Sequence, residues 1–353
     1  MDVEFFDIQD WTPQPWFNTG GTRDKKYYQR PNGNFYYFKT SMFKPGKDYK
    51  YEFWSEVIAS QIGFFYGFDM LKYDVAYDGI KVGCISKSMF TPGQEELIEG
   101  GKYIQAFDNT FDPSSKESRK LHSFQLIESA LLYYGYENNI KDIIELLVFD
   151  ALIGNSDRHQ ENWAFIIKLS FLGSSIKSIE DLAKEHKIDR FPLPFRNFIK
   201  KKFLNKEATE LNAEGKRMKL YFNKDARFSP IYDNGSSLGR ELVEQKVEAM
   251  LRNSKELEAY INRGVSEIHW NKEKLKFFKM IENLGKSQYA SNLNTILKRL
   301  KSKHNAEVVK NIIQNIDKCI PLELESYKIP QNRKDLLIKL VTLRFEKLMH
   351  YLS

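Results

Sequence analysis

Cysteine is almost absent from this chain. Only Cys84 and Cys319 occur in 353 residues, far apart and without C-x-x-C spacing, which excludes a disulfide framework and a cysteine-based zinc site. The expected compartment is the reducing cytoplasm. No apolar run approaches the roughly 18 continuous residues that a bilayer-spanning helix needs. The chain opens Met-Asp-Val-Glu, acidic where a signal peptide would be basic. Neither a membrane span nor a signal peptide is expected, which leaves open export by a route that needs no signal peptide. Internal repeats and low-complexity tracts are also missing. The histidines His122, His159, His186, His269, His304 and His350 are scattered without metal-ligand spacing, and they are read as structural or surface residues.

What is present suits a folded protein with a sizeable core. Apolar residues make up 42% and aromatic residues 14% of the chain, unlike the polar, aromatic-poor composition of disordered chains. The length fits a two-lobed unit around a shared cleft. The net charge of +7 is unevenly placed. Between Leu169 and Phe228 there are 14 Lys and Arg against 8 Asp and Glu, so this one stretch carries +6.

Residues 1–90 read as a small β-rich lobe containing one helix. Phe35-Tyr36-Tyr37-Phe38 is a strand pattern bounded by turn residues. Phe53, Val57, Ile58 and Ile62 recur at helical spacing between Tyr49 and Gly63, with Gly63 placed to end the helix. Strands at Tyr73–Tyr77 and Ile80–Ser86 flank Asp78-Gly79, which suits a tight hairpin turn. After the connector Thr91-Pro92-Gly93, residues 91–353 read as a larger, mainly helical lobe. Its helices include Leu121–Tyr134 and Asp142–Ile153, and a terminal stripe runs through Leu337, Leu340, Val341, Leu348 and Leu352. Residues 169–228 read as a basic insertion in this lobe. The expected fold class is therefore α+β, with a small β-rich N-lobe and a helical C-lobe.

The strongest chemical signal is Gly154-Asn155-Ser156-Asp157-Arg158-His159-Gln160-Glu161-Asn162, a dense polar loop between two apolar elements. Phosphoryl transfer needs a carboxylate to position the attacking hydroxyl and an amide oxygen to hold magnesium, and Asp157 and Asn162 have the D-x-x-x-x-N spacing for it. An Asn- and Asp-rich turn satisfying its own backbone is the plain structural alternative. A second acidic site follows at Tyr232-Asp233-Asn234-Gly235, where Asp233 suits a metal ligand at a strand end. Upstream, Lys39 ends a strand and Glu56 sits inside the next helix, the order in which a lysine meets nucleotide phosphates and a carboxylate holds it. Glu52, one turn earlier, is the rival partner. The adjacent glycines of Asn18-Thr19-Gly20-Gly21-Thr22 could approach phosphate oxygens through their backbone amides. They lack both G-x-G-x-x-G and the Walker pattern. The connector from Ser88 to Pro92, with Met89 and Phe90, is the natural hinge for the nucleotide base.

The stretches LLVFDALIGNSDRHQENW, ending at Trp163, and PIYDNGSSLG closely resemble the HipA-like serine/threonine kinases of bacteria. The resemblance extends coarsely from Asn18 to the C-terminal helices. It implies a protein-kinase-like bilobal fold using ATP and Mg2+, with Asp157 as catalytic base and Asn162 and Asp233 on magnesium. It further implies that Lys39 and Glu56 secure the nucleotide; Gly20, Gly21, Thr22, Met89 and Phe90 are expected beside it from the turn and connector readings above. The implied substrate is a protein with a serine or threonine acceptor, in a toxin of a toxin–antitoxin system or in an effector. Phosphorylation of Thr19 or Thr22 would be the implied self-modification.

Two departures stand beside that resemblance. The chain reaches its glycines by Gly20, as in a short form lacking an N-terminal subdomain, so a separate subdomain-like or antitoxin partner is expected. About 70 residues separate Asn162 from Asp233, where a short hairpin would be expected. In that insertion, Phe195, Phe198 and Phe203 interleave with Arg196, Lys200, Lys201 and Lys202. This pattern fits a nucleic-acid or anionic-lipid contact, or more plainly a helix with a solvated basic face. Two other functions stay open, a phosphoinositide or small-molecule kinase and a nucleotide-binding pseudokinase serving as an interaction module.

Overall fold

Aromatic alternation builds the small lobe. Strands β3 (Lys25–Gln29) and β4 (Phe35–Thr40) pair antiparallel with Tyr27 opposite Tyr37 and Lys25 opposite Lys39. Because strand side chains alternate between faces, Tyr28, Phe38 and Ile85 share one face. They pack there with Ile8 and Trp11 into a small separate core. Tyr27, Tyr37 and Lys39 fall on the opposite face. The computed structural model describes residues 2–15, 25–44, 47–115, 117–168 and 226–352. Gly20, Gly21 and Thr22, Thr19 beside them, and the basic stretch 169–225 lie outside the described residues.

The six-stranded sheet runs in the order β1-β7-β8-β4-β3-β2. It includes β1 (Phe5–Asp7), β2 (Thr12–Pro13), β7 (Asp74–Tyr77) and β8 (Val82–Lys87). β1 lies parallel to β7, and the other neighbours pair antiparallel. A short hairpin of β5 (Phe43–Lys44) and β6 (Lys47–Asp48) stands apart. The expected hairpin at Asp78-Gly79 forms with a wider turn. The Asp78 carboxylate accepts from the amides of Ile80 and Lys81, so the second strand begins at Val82 instead of Ile80.

Helix α1 spans Glu52–Tyr66, one turn beyond the predicted stop at Gly63. Gly67, at φ 79°, ends it instead, with Gly67 N donating to Phe64 O and Phe68 N to Gly63 O. Gly63 is needed for closeness, since a Cβ there would lie 2.4 Å from the sulfur of Met70.

In the large lobe, β9 (Glu95–Glu99), β10 (Ala164–Lys168) and β11 (Arg227–Phe228) form a three-stranded sheet. The last residues counted with the insertion therefore belong to a strand. Around it lie α2 (Gly100–Phe107), α3 (Phe124–Tyr133) and α4 (Ile140–Ile153). The chain continues through α5 (Glu244–Arg252), α6 (Ser254–Arg263), α7 (Phe277–Gly285), α8 (Ala290–Lys303), α9 (Ala306–Asn315) and α10 (Gln331–Met349). Helix α4 is buried on nearly every side and packs against α7, α8 and α10. The terminal apolar stripe divides. Leu337, Val341 and Leu348 join the main core, while Leu340 packs with Val247, Met250 and Ile261 in a satellite core. The main core is continuous from Phe53 on α1 to Leu348 on α10, and α1 packs on α8 and α9. Among the described residues, no helix is long and apolar enough to cross a membrane.

Candidate active site

The site starts where α4 stops. Gly154 takes φ 70°, and the amides of Gly154 and Asn155 both donate to the Asp150 carbonyl. This ends the helix and releases the polar loop. Arg158 then turns back into the protein with no exposed surface. Its guanidinium meets both carboxylate oxygens of Asp150, at 2.8 Å from Nη2 to Oδ1 and 3.1 Å from Nε to Oδ2. The same group donates to the carbonyls of Asn162 and Tyr232 and to Asn234 Oδ1. One buried cation thus joins α4, the loop and the second acidic motif. Burial acts most strongly, to lower its pKa, but the charge and hydrogen bonds of Asp150 together with the nearby Asp233 and Tyr232 outweigh it and raise the pKa. A buried charge is tolerated when it is paired and fully hydrogen-bonded.

That arrangement brings the predicted residues together. Lys39, 8% exposed, donates to Glu56 Oε1 and to Asp233 Oδ1, each at 2.8 Å. The rivalry between Glu52 and Glu56 is resolved. Glu56 takes Lys39, while Glu52 pairs with Arg240 and accepts from the Met42 amide. Asp233 sits at φ 56°, an uncommon conformation for a side-chain-bearing residue. Its neighbour holds it there, because the Asn234 amide donates to Glu56 Oε2 at 2.6 Å. Strained backbone of this kind concentrates at functional sites.

Across the cleft, Asp157 Oδ2 accepts from the Ser236 hydroxyl at 3.0 Å. The Asn162 amide nitrogen donates to the Asp157 carbonyl at 2.8 Å. With its nitrogen engaged, Asn162 has its amide oxygen as the end suited to a cation. The backbone of His159 closes turns in the loop, its amide donating to Asp157 O and its carbonyl accepting from Asn162 N, while its Nδ1 accepts from the Glu161 amide at 3.4 Å. Among the described residues, no group of three or more His, Cys, Asp or Glu is set to hold a metal. Asn162 and Asp233 are an amide and a carboxylate, a donor set that suits magnesium when substrate phosphates complete the shell.

At the other end of the sheet lies the connector. Ser88 N donates to Phe35 O, and Ser88 Oγ to Phe90 O at 2.7 Å. Met89 O accepts from Arg227 at 2.7 Å. Met89 and Phe90 are half-buried. On the same sheet, Tyr27 and Tyr37 have ring centroids 4.5 Å apart, and burial raises both phenols above their ordinary range. Cys84, opposite Lys39, is likewise held as a thiol, by burial first and the Glu56 carboxylate second.

The sequence reading named Asp157, Asn162, Asp233, Lys39 and Glu56 but missed Asp150, Asn155, Arg158, Asn234, Ser236 and Arg240 as their supports. One signal was available. Asp150 stands alone inside the apolar run LLVFDALI, and a carboxylate in such a helix needs a buried partner.

No protein-family model and no curated protein matches the sequence. Solved structures do match the fold. The crystal structure of a Helicobacter pylori proinflammatory kinase, CtkA, aligns over 100% of this chain and 96% of that one, with TM-score 0.69 and 17% identity. HipA from a Shewanella oneidensis toxin–antitoxin complex with HipB and operator DNA aligns over 96% of this chain and 67% of that one. Its TM-score is 0.39 and its identity 12%. The first likeness establishes the fold, a kinase-like bilobal α+β fold with a curled N-terminal sheet and a helical C-terminal region.

Proposed function

We propose that the chain is an ATP- and magnesium-dependent protein kinase of the HipA-like type acting on serine or threonine hydroxyls. The observation that carries this reading is Lys39 held between Glu56 and Asp233 at 2.8 Å each, facing a loop in which Asp157 and Asn162 are tied to one another. The full-length likeness to a bacterial kinase supports it.

In this reading Lys39 moves its positive charge onto nucleotide phosphates, and Glu56 keeps the ammonium in place. Asn162 and Asp233 would hold magnesium, which when bound neutralises charge on the transferring phosphate. Asp157 takes the proton of the acceptor hydroxyl as its oxygen bonds to the γ-phosphorus, the bond to the bridging oxygen breaks and ADP leaves. The Ser236 hydroxyl holds one carboxylate oxygen of Asp157 and orients the base. Met89 and Phe90 line the place for the base of the nucleotide.

The test is transfer of labelled γ-phosphate to the protein itself and to a cell lysate, with Asp157→Asn and Asp233→Asn in parallel. Each substitution keeps side-chain size but removes a base or a metal charge, so each is expected to lower the rate by at least about 100-fold. Label on serine or threonine in the wild type alone supports the proposal. Label found only in lipid would redirect it to a lipid kinase. ATP binding without transfer would mean a pseudokinase. The labelled acceptor then tells a toxin from an effector.

A further inference from the structure

Helix α1 carries Glu56 to Lys39, so whatever fixes the rotation and height of α1 also fixes that pair. Glu52, Ser55 and Glu56 lie on one face of the helix at positions i, i+3 and i+4. The segment after Asp233 meets all three. The Asn234 amide donates to Glu56, the Ser55 hydroxyl donates to the Ser237 carbonyl at 3.2 Å, and the Arg240 guanidinium pairs with Glu52. The second oxygen of Glu52 accepts from the Met42 amide at 2.9 Å, which ties in the chain leaving β4. Arg240 also lies 4.6 Å from the centroid of the Tyr49 ring, just before the helix. The side chains of Glu52 and Arg240 are 3% and 16% exposed, so solvent screens this pair far less than a surface ion pair.

We infer that Arg240 is a positioning residue that sets how well the chain uses its nucleotide. By gripping Glu52, it holds α1 where Glu56 reaches Lys39. The same segment carries Asp233 seven residues earlier, so the metal-binding carboxylate and the Lys39–Glu56 pair are positioned by one piece of chain. The activity arm of this inference rests on the proposed kinase function, and the structural arm does not.

The test combines hydrogen exchange with steady-state kinetics on the full chain, using Arg240→Ala, Arg240→Lys and the reciprocal pair Glu52→Arg with Arg240→Glu. In Arg240→Ala, amides across residues 49–60 should exchange faster while those of α4 and α10 keep their protection. The KM for ATP should rise by on the order of tenfold, and the lysine variant and the reciprocal pair should each recover part of both effects. Unchanged protection of α1 would overturn the inference. So would equal loosening of α4 and α10, which marks a general structural role, or loosening of α1 with an unaltered KM. A wild type that transfers no phosphate would sink the kinase reading instead, and the exchange data would then decide the grip on their own.

Discussion

Arg158 makes the candidate site depend on a single buried charge. Its guanidinium donates to five oxygens on four residues across three segments, and removing it leaves the Asp150 carboxyl buried without its counter-charge. Arg158→Met is expected to cost roughly 3–5 kcal/mol by chemical denaturation, and adding Asp150→Leu should recover part of the loss. A single variant as stable as the wild type would show that the pair is not structural. His122 supplies a second prediction. It is fully buried and accepts from the Trp163 indole, and its pKa is pushed down to about 3 by burial first and the nearby His159 and His269 second. The folded pKa lies below the unfolded value of about 6.5, so the unfolded state binds the proton more readily. His122 thus contributes full stability above about pH 6.5 and loses it on the way down, by up to about 1.4 kcal/mol per pH unit. Urea titrations at pH 7 and pH 5 should show a shallower loss in His122→Gln than in the wild type. Spacing and element order were enough to single out Lys39, Glu56, Asp157, Asn162 and Asp233 as candidates, and the structure joins Lys39 to Glu56 and Asp233, and Asn162 to Asp157. Their supports could not be singled out in this way, since Arg158, Asn234 and Arg240 act through partners distant in sequence.

Elements were legible where the hydrophobic period was long and illegible at their ends. Helix α4 matched its pattern to within two residues at its start, and its stop at Gly154 coincides with the first residue of the polar loop. Helix α1 misled, because Gly63 and Gly67 both look like stops and only packing against Met70 explains the first. Gly154 is the position where such an ending bears on chemistry. A Cβ there would meet the Arg344 guanidinium at 2.3 to 2.7 Å, in a backbone conformation that disfavours side chains. Gly154→Ala is expected to lower stability by more than about 1 kcal/mol and to reduce phosphate transfer further, because Asp157 lies three residues beyond the cap. Denaturation midpoints and initial rates on one preparation check both. The Asp78 turn shows the opposite error. The dipeptide was found correctly, but its carboxylate binds two amides ahead and widens the loop.

For the molecule as a whole, composition and element order sufficed for a bilobal α+β fold. What they could not convey is that the main core crosses from one lobe to the other, from Phe53 and Trp54 through α4 to Phe345 and Leu348. A shared core predicts shared unfolding. Far-ultraviolet circular dichroism and tryptophan fluorescence, which samples Trp54 on α1 and Trp163 beside the loop, should lose signal at the same urea concentration. Two separated transitions would mean that the lobes unfold independently. The same continuity bears on timing. With α1 seated on α8 and α9 and gripped on its other flank by Glu52 and Arg240, the Lys39–Glu56 pair is completed by folding itself. In many enzymes, an on-state is reached by swinging a helix into place after synthesis. In the kinase proposed above, that step would already be spent when the chain finishes folding, and restraint would fall to how much protein is made, how long it lasts, what occupies its cleft, or a modification such as that expected at Thr19 or Thr22.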